Sequence, residues 1–177
     1  MAEQSQSLSG QLCPMCGTKN LTLTEAENEV PYFGKLFLFS MTCSKCHYYK
    51  SDVEAAEQKE PARFTFEVSG KDDLNARIVR SSEGFVKIPH VGTIEPGPDA
   101  EGFVSNVEGL IMRFKKQIET LRDNAEDDED KKKAKNLLKK LQKVLWGDEK
   151  LKIIIEDSTG NSAIVSEKAK REALKKK

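Results

Sequence analysis

Histidine is scarce in this sequence, and common enzyme motifs are absent from it. His47 and His90 are the only histidines among 177 residues, so few imidazoles are available as general bases or metal ligands. The chain contains no G-x-S-x-G elbow, no HExxH motif and no glycine-rich phosphate loop. These absences predict a protein that is not an enzyme.

Long apolar runs and an excess of charge of either sign are also lacking. The 29 basic residues are balanced by 29 acidic ones, which argues against nonspecific binding of nucleic acid through an overall positive field. No apolar run approaches the roughly 18 residues of a membrane span, and the first residues show neither the basic start nor the apolar run of a secretory signal. We therefore expect a cytoplasmic protein that does not enter the membrane.

Cysteine is present in a single pattern. The four cysteines form two C-x-x-C pairs, Cys13 with Cys16 and Cys43 with Cys46, separated by 26 residues. Two such pairs can close a tetrahedron of thiolates around one zinc ion and leave no position for water or substrate. Two disulfides or a redox-active pair are the alternatives, but disulfides need an oxidising compartment and a redox motif normally comes once. The pattern predicts one structural zinc ion held by all four cysteines.

A β-hairpin is expected between the two cysteine pairs. Residues 21–27 and 36–42 have strand-like composition, and Pro31 and Gly34 interrupt the chain between them. The sequence therefore predicts a zinc ribbon over residues 11–52. A ribbon of this size has too small a core to fold alone, so removing zinc should unfold it.

The two ends of the chain look unstructured by composition. Residues 1–10 are small and polar and are predicted to be disordered. Residues 167–177 are rich in lysine and are interpreted as a basic, solvated C-terminal tail.

The middle of the chain predicts a β domain over residues 53–166. Phe64, Phe66 and Val68 alternate with polar residues as in a half-buried strand, and short strands are expected at 76–80, 85–88, 91–94, 152–155 and 162–165. Short strands separated by turns are typical of a sandwich or barrel-like β domain.

The hydrophobic period changes to that of helices between Ser105 and Leu145. Ser105 and Glu108 have the spacing of a capping box, and apolar stripes follow over 107–121 and 134–145. The largely acidic segment 123–130 lies between the stripes, where it is expected to oppose the dipole of the first helix. A helical hairpin inserted at residues 106–146 gives the fold class: α+β, with a zinc ribbon in front.

Several motifs in order along the chain resemble the ZPR-type zinc-finger domain family. The resemblance covers residues 11–166, and its motifs are C-P-x-C-G at Cys13–Gly17, the second knuckle at Cys43–Tyr48, Ser81, Ile88-Pro89, Ile94, Gly97, Gly102, the VEGL run from Val107, Asp157, and the GNS run from Gly160. His47 departs from the family, which has glycine there, and a left-handed backbone at that position would cost histidine about 1 kcal/mol.

The resemblance implies a fold and a function. The fold is a four-cysteine zinc ribbon followed by a double-stranded β-helix, which is β-sandwich-like, interrupted by a helical hairpin. Eukaryotic members carry this module twice, and this chain resembles the single-module, archaeal-type form. The implied function is non-enzymatic: binding of translation elongation factor 1-alpha as a folding chaperone or regulator.

Aromatic residues on the ribbon hairpin are candidates for the contact with this partner. Tyr32, Phe33, Phe37 and Phe39 would form an exposed apolar strip that meets an incompletely folded client. The alternative is that these rings pack between the ribbon and the β domain.

Two other functions remain as alternatives. A nucleic-acid-binding ribbon would use four lysines and two tyrosines of the first 50 residues, but acidic residues balance these lysines; the residues are Lys19, Lys35, Lys45, Lys50, Tyr48 and Tyr49. A metal-dependent enzyme within the β-helix would draw on several inward histidines, and two scattered ones are too few.

Overall fold

The computed structural model of the chain describes residues 5–30, 33–57 and 59–174. In chain order its elements are β1 (Ser5–Gln11), β2 (Leu21–Val30), β3 (Gly34–Cys43), β4 (Tyr49–Ala55), β5 (Ala62–Val68), a 3₁₀ helix (Lys71–Asn75), β6 (Arg77–Arg80), β7 (Phe85–Ile88), β8 (Gly92–Ile94), β9 (Phe103–Asn106), α1 (Val107–Asn124), α2 (Asp128–Trp146), β10 (Leu151–Asp157), β11 (Ala163–Val165) and β12 (Lys170–Ala173). Among the described residues, no helix is long and apolar enough to cross a membrane.

The N-terminal part is one antiparallel sheet in the order β1-β2-β3-β4. Side chains alternate between the faces of a strand, so Leu36 and Leu38 of β3 share a face that the neighbouring Val53 of β4 extends. Leu36 and Val53 are buried in a cluster that also contains Val79 and Ala163 from the C-terminal part. This inner face of the ribbon is therefore packed on the second domain.

The C-terminal part is a jelly roll of two sheets. One sheet has the order β12-β5-β10-β7-β8 and the other the order β11-β6-β9. The central strand β10 pairs with both β5 and β7, and its buried residues Ile153 and Ile155 lie in the main core. The prediction of an α+β fold with a zinc ribbon followed by a sandwich-like β domain is confirmed.

The helical hairpin closes this core. Leu110, Ile111 and Phe114 of α1 and Leu141 and Val144 of α2 are buried with the residues of the sheets. Their spacing of three and four residues places them on one face of each helix. The apolar stripes therefore predict the buried faces of both helices, except at Leu121, which is 68% exposed.

Both helix starts differ from the sequence expectation. The N-cap of α1 is Asn106, whose side chain accepts a hydrogen bond from the N–H of Gly109 at 2.8 Å, and Ser105 precedes the cap. Asp127 caps α2, and the first turn of that helix contains Asp128 and two further acidic residues. Negative charge at a helix N-terminus is favourable, so most of the acidic segment stabilises α2 instead of opposing α1.

The expected disorder at the N-terminus is wrong for residues 5–10. These residues belong to β1, which pairs with β2 in a register that places Ser7 opposite Thr24 and Leu8 opposite Leu23. The strand forms through backbone hydrogen bonds, for which polar side chains suffice, and its residues remain largely exposed because β1 is an edge strand. The ribbon sheet therefore extends beyond the predicted limits of 11–52 at both ends.

The expected solvated tail is also wrong for residues 170–173. Lys170–Ala173 form β12, which pairs with β5 and places Arg171 opposite Phe64. Composition alone missed this strand because its four side chains are exposed and its pairing uses the backbone. Residues 1–4 and 175–177 lie outside the described parts of the chain.

Asp73 fastens the segment before β12 to the jelly roll. Its carboxylate, 7% exposed, accepts hydrogen bonds from the N–H and hydroxyl of Ser69 at 2.9 and 2.8 Å and from Lys168 Nζ at 2.7 Å. Burial by itself raises the pKa of Asp73, but the hydrogen bonds from Lys168 and Ser69 outweigh it and lower the pKa to about 2. Folding therefore favours the ionised carboxylate.

We expect Asp73→Asn to lower the free energy of unfolding by about 2 kcal/mol at neutral pH. Because the folded pKa lies below the unfolded one, the stabilisation is present above a pH of about 4 and is lost as pH falls towards about 2. Urea unfolding at pH 7, 4 and 2.5 measures this difference, with the exposed Asp72→Asn as control. An equal deficit of the Asp73 variant at all three pH values would contradict the assignment.

Candidate metal centre

The first cysteine knuckle is a tight loop after β1. The N–H of Cys13 donates to the carbonyl of Thr18 at 2.9 Å, and its own carbonyl accepts from the N–H of Gly17 at 2.9 Å. Gly17 has a φ of +64°, a left-handed conformation that glycine adopts without steric cost. The loop turns the chain back so that the thiols of Cys13 and Cys16 point to one side.

The second knuckle repeats this geometry at the end of β3. The N–H of Cys43 donates to the carbonyl of Tyr48 at 2.9 Å, and its carbonyl accepts from the N–H of His47 at 3.0 Å. His47 occupies the position of Gly17 and has a φ of +58°. The left-handed backbone expected at His47 from the resemblance is therefore present.

The four thiols fit the size of a zinc site. Cys13 Sγ and Cys46 Sγ are 3.7 Å apart, as are Cys16 Sγ and Cys43 Sγ, and all four sulfurs lie within 4.8 Å of one another. A zinc–sulfur bond of about 2.3 Å in a tetrahedron requires sulfur–sulfur separations of about 3.8 Å. The cysteines are free thiols at distances far above that of a disulfide bond, so the arrangement matches a metal tetrahedron.

The surroundings of Cys16 favour its thiolate form, whereas at Cys46 a backbone hydrogen bond with Tyr48 is outweighed by burial and the neighbouring thiols, which raise the pKa to about 12. Cys13 and Cys43 are buried beside Leu21, whereas Cys46 is exposed. The hydroxyl of Thr18 lies 3.1 Å from Cys16 Sγ, and hydrogen bonds from the Thr18 side chain and backbone lower the pKa of Cys16 to about 6. Zinc binds the thiolate form, so this polarisation supports metal binding.

Replacing His47 by glycine should stabilise the ribbon. We expect His47→Gly to raise the free energy of unfolding by about 0.5–1 kcal/mol, because glycine removes the steric strain of a side chain at positive φ. The greater conformational entropy of glycine in the unfolded chain offsets part of this gain. Thermal unfolding of the zinc-loaded protein measures the change. Ser44→Gly, at a position without positive φ, is the control and should bring no gain; equal or lower stability of His47→Gly would refute the strain at this position.

The ribbon is fastened to the jelly roll along β4. The Ser51 carbonyl accepts from the N–H of Gly102 at 3.0 Å, and the Ser51 hydroxyl donates back to the Gly102 carbonyl at 3.0 Å. The carboxylate of Asp52 accepts from the N–H and hydroxyl of Ser82 at 3.0 and 2.7 Å. A Cβ at Gly102 would lie 2.6 Å from the backbone nitrogen of Val53, so only glycine allows this approach.

A buried carboxylate organises the other side of this junction. Asp157 is 1% exposed; one of its oxygens accepts from the hydroxyls of Ser81 at 2.7 Å and Ser162 at 2.5 Å, and the other accepts from the N–H and hydroxyl of Thr159 at 2.7 and 2.6 Å. The turn held in this way presents Asn161 Oδ1 to the N–H of Ala55 at 3.1 Å. The turn interpretation of residues 157–161 agrees with these contacts.

These contacts show what several of the family motif residues do in the structure. Ser81, Gly102, Asp157 and the GNS run from Gly160 all lie at or beside the junction between ribbon and jelly roll. Gly160, with a φ of +76°, comes so close to the connector between the domains that a Cβ would lie 2.5 Å from the Lys59 carbonyl oxygen. The motif residues therefore fix one domain against the other.

The structure separates the candidate partner-binding aromatics, because Phe33 precedes β3 and is buried whereas Phe37 and Phe39 lie on the strand. Phe33 is buried in the junction cluster, where Lys59 Nζ lies 4.4 Å from its ring centroid, and it lines an apolar cavity of about 620 Å³. Phe37 and Phe39 point to the outer face and are partly exposed, with ring centroids 6.5 Å apart. Tyr32 lies outside the described residues. Packing therefore accounts for Phe33, which does not belong to an exposed strip.

Two of the four lysines suggested for nucleic-acid contact are engaged by other groups of the chain. Lys35 pairs with Glu27 at 2.5 Å, and Lys50 donates to the Pro98 carbonyl at 3.3 Å. Tyr48 packs against the cysteine cluster, whereas Tyr49 is 52% exposed. Lys19 and Lys45 are exposed. No contact among these residues favours the nucleic-acid alternative.

The four-cysteine centre on a ribbon sheet, followed by a jelly roll with an inserted helical hairpin, defines a zinc-ribbon protein that holds one structural zinc ion. Residues 8–61 match the ZPR1 zinc-finger domain and residues 72–177 match the ZPR1 jelly-roll domain. The chain belongs to the ZPR1 family, as the resemblance predicted.

Relatives occur in archaea and in eukaryotes. The chain is 42% identical to an uncharacterized ZPR1-like protein of Methanocaldococcus jannaschii over 92% of its own length and 83% of the relative's. It is 38% identical to an uncharacterized ZPR1-like protein of Pyrococcus horikoshii over 93% and 76%. The zinc finger chaperone zpr1 of Schizosaccharomyces pombe is 33% identical over 86% of this chain but only 34% of that protein. This chain thus corresponds to about one third of the yeast chaperone.

Proposed function

We propose that this chain is a non-enzymatic, zinc-dependent binding protein whose partner is translation elongation factor 1-alpha, which it assists as a folding chaperone or regulator. Zinc is held by Cys13, Cys16, Cys43 and Cys46. The family relationship to a protein named as a zinc finger chaperone supports the class of function. A cytoplasmic location belongs to this proposal, since translation factors act there.

The observation that carries the proposal is an apolar surface on the outer face of the ribbon. Register places Leu8, Leu23 and Met41 side by side across three strands, and Phe39 and Phe37 continue the same face along β3. Leu8 is 58% exposed and Met41 37% exposed. We call these five residues the ribbon outer face. Contiguous exposed apolar residues of this kind mark binding surfaces for other proteins.

Charged residues frame this apolar surface. Glu25 lies opposite Phe39 and Glu27 lies opposite Phe37, while Lys35 Nζ is 5.5 Å from the Phe37 ring centroid. An apolar centre with a polar rim is the usual composition of protein interfaces. The face therefore suits a client that exposes apolar segments.

The junction explains why zinc would matter for binding. The inner face of the ribbon is packed on the jelly roll and its β4 edge is hydrogen-bonded to Ser82 and Gly102, so the outer face is presented on a rigid support. The knuckles join β1 to β2 and β3 to β4, and zinc is expected to hold these connections in register. Loss of zinc should therefore abolish binding as well as local folding.

Titration of purified elongation factor 1-alpha with the zinc-loaded chain tests the proposal. We expect Phe37→Ser combined with Phe39→Ser to weaken binding at least about tenfold, because central aromatic anchors dominate interfaces. Met112→Ser, at an exposed apolar residue of α1, is the matched control and should bind like the unchanged chain. Zinc content and melting temperature are measured for each variant so that misfolding is recognised.

Two outcomes would reject the proposal. Absence of measurable binding by the zinc-loaded chain would remove elongation factor 1-alpha as the partner. Binding of RNA or DNA that falls steeply with added salt, without binding of the factor, would establish the nucleic-acid alternative instead.

A further inference from the structure

A groove separate from the metal centre runs between α1 and the segment that leads into β9. Its volume is about 660 Å³, and Ile94, Phe103 and Leu121 form apolar parts of its lining. Leu121 is 68% exposed at its edge. The groove belongs to the jelly roll and helical hairpin, and none of its lining residues takes part in the ribbon outer face.

A buried arginine with an unsatisfied nitrogen lies in the lining of this groove. Arg80 is 2% exposed; its Nε donates to the Gly84 carbonyl at 2.9 Å and its Nη1 donates to the Glu101 carbonyl at 2.6 Å. Its Nη2 has no hydrogen-bond partner among the described residues. Folded proteins rarely leave a buried donor of this kind without an acceptor, which makes this nitrogen unusual.

The positive charge of Arg80 is not neutralised by a contacting acid. Within the described ranges, no carboxylate forms an ion pair with it inside 4.0 Å. Burial lowers the pKa of Arg80 and the charge of Arg113 lowers it further, against the more distant attraction of Asp157 and Asp52. Arg80 therefore forms a region of buried positive charge that no carboxylate of the described residues contacts directly, although Asp157 and Asp52 partly offset it.

Two exposed cations of α1 extend this region to the surface. The Arg113 guanidinium lies 4.2 Å from the ring centroid of Phe103, and the Arg80 guanidinium lies 5.7 Å from the same ring. Lys116 follows Arg113 by three residues and lines the same groove. In the described part of the chain neither Arg113 nor Lys116 forms an ion pair. Both remain available to a ligand.

Acidic residues of the opposite wall limit what can bind. Glu95, Asp99 and Glu101 line the groove, and the Glu101 contact to Arg80 uses the backbone carbonyl. These carboxylates lie beyond ion-pair distance of Arg113 and Lys116, so the two basic side chains, which form the basic wall of the groove, are free to contact an anion. The acids oppose large polyanions, so a single compact anionic group is the ligand that fits.

We propose that this groove binds an oxyanion, a carboxylate or a phosphate group, at the Arg113 and Lys116 wall with Arg80 beneath. Guanidinium groups match the planar geometry of these oxyanions, and the low exposure of Arg80 strengthens the attraction. The aliphatic and aromatic lining leaves room for an apolar part of the ligand beside the anionic one.

NMR titration of the full zinc-loaded chain tests this site, with inorganic phosphate in one arm and succinate in the other at constant ionic strength. We expect saturable shifts of the Nε–H signals of Arg80 and Arg113. Arg113→Gln combined with Lys116→Gln should weaken binding about tenfold, the loss of about 1.4 kcal/mol. Lys132→Gln combined with Lys139→Gln removes the same charge from exposed positions of α2 and should leave binding unchanged.

The two arms identify the source of the anion. Tighter binding of phosphate assigns the site to phosphate groups, and tighter binding of succinate assigns it to carboxylates. The site is refuted when neither anion gives saturable shifts at Arg80, or when both double variants lose binding equally, since the effect would then be one of net charge. Arg80 itself is left unchanged in these variants because its burial makes misfolding the expected result of replacement.

Discussion

Removal of zinc should unfold the ribbon sheet while the helical hairpin and the central strand β10 remain folded. Binding of zinc to four-cysteine sites contributes about 10–16 kcal/mol at neutral pH, which exceeds what a sheet of this size gains from its own core. The main apolar core lies among the jelly-roll strands and helices and does not include the cysteines. The expected result is therefore local loss of structure in β1 to β3.

Hydrogen exchange before and after addition of a strong chelator measures this effect. Amides of β2 and β3 should lose their protection, and those of β10 and α1 should keep most of theirs. Cys43→Ser should reproduce the chelated state in part, because it removes a fully buried ligand. Lys45→Ala changes an exposed residue between the same two cysteines and should exchange like the unchanged chain. Full protection of β2 and β3 without metal would show that zinc is not required for the fold.

Loss of the Asp157 carboxylate should have the second largest effect. We expect Asp157→Ala to lower the free energy of unfolding by about 3–5 kcal/mol, because the buried hydroxyls of Ser81 and Ser162 lose their acceptor and the turn that holds Asn161 is released. Asp157→Asn keeps the shape and one acceptor oxygen. It should therefore cost only about 1–2 kcal/mol.

Denaturant unfolding of these variants distinguishes the loss of the Asp157 contacts at the junction from the general effect of removing one negative charge. Asp148→Asn removes one carboxylate from an exposed position and should change stability little. Because the turn contacts the ribbon through Asn161 and Ala55, hydrogen exchange in β4 should also increase in Asp157→Ala. A loss below about 1 kcal/mol for the alanine variant would contradict the role assigned to this network.

The metal centre and the core faces were predictable because their signals are local. The C-x-x-C spacing predicts the knuckles without knowledge of the rest of the chain. The three- and four-residue spacing of Leu110, Ile111 and Phe114 predicts the buried face of α1. Both signals depend on residues that are near one another in sequence.

The features that the sequence did not predict depend either on pairing between segments distant in sequence or on a choice between neighbouring residues of similar propensity. β1 and β12 are polar edge strands held by backbone bonds to β2 and β5, so composition does not reveal them. Ser105 and Asn106 are both good caps, and residue type alone does not show that Asn106 is the one that accepts from the Gly109 N–H. The segment between the helices contains no clear helix breaker, so the sequence did not show that its acidic residues from Asp127 to Asp130 form the cap and first turn of α2.

The aromatic residues of the ribbon show a further limit. Leucine and phenylalanine alternate in β3 from Leu36 to Phe39, so both faces are apolar and alternation alone does not say which one is buried. The jelly roll decides this, because Val79 and Ala163 cover the side of Leu36. The junction contacts of Asp52 and Gly102 likewise join residues about 30 to 50 positions apart, for which the sequence has no periodic signal.

Refolding of elongation factor 1-alpha from denaturant, with and without this chain, is the most direct test of the proposed chaperone function. We expect the zinc-loaded chain to raise the yield of protease-resistant factor, and the chelated chain and the Phe37→Ser, Phe39→Ser variant to have no such effect. Met112→Ser should act like the unchanged chain. Equal yields with the zinc-loaded chain, the variant and no addition would contradict the proposal that this protein assists folding of the factor through its ribbon outer face.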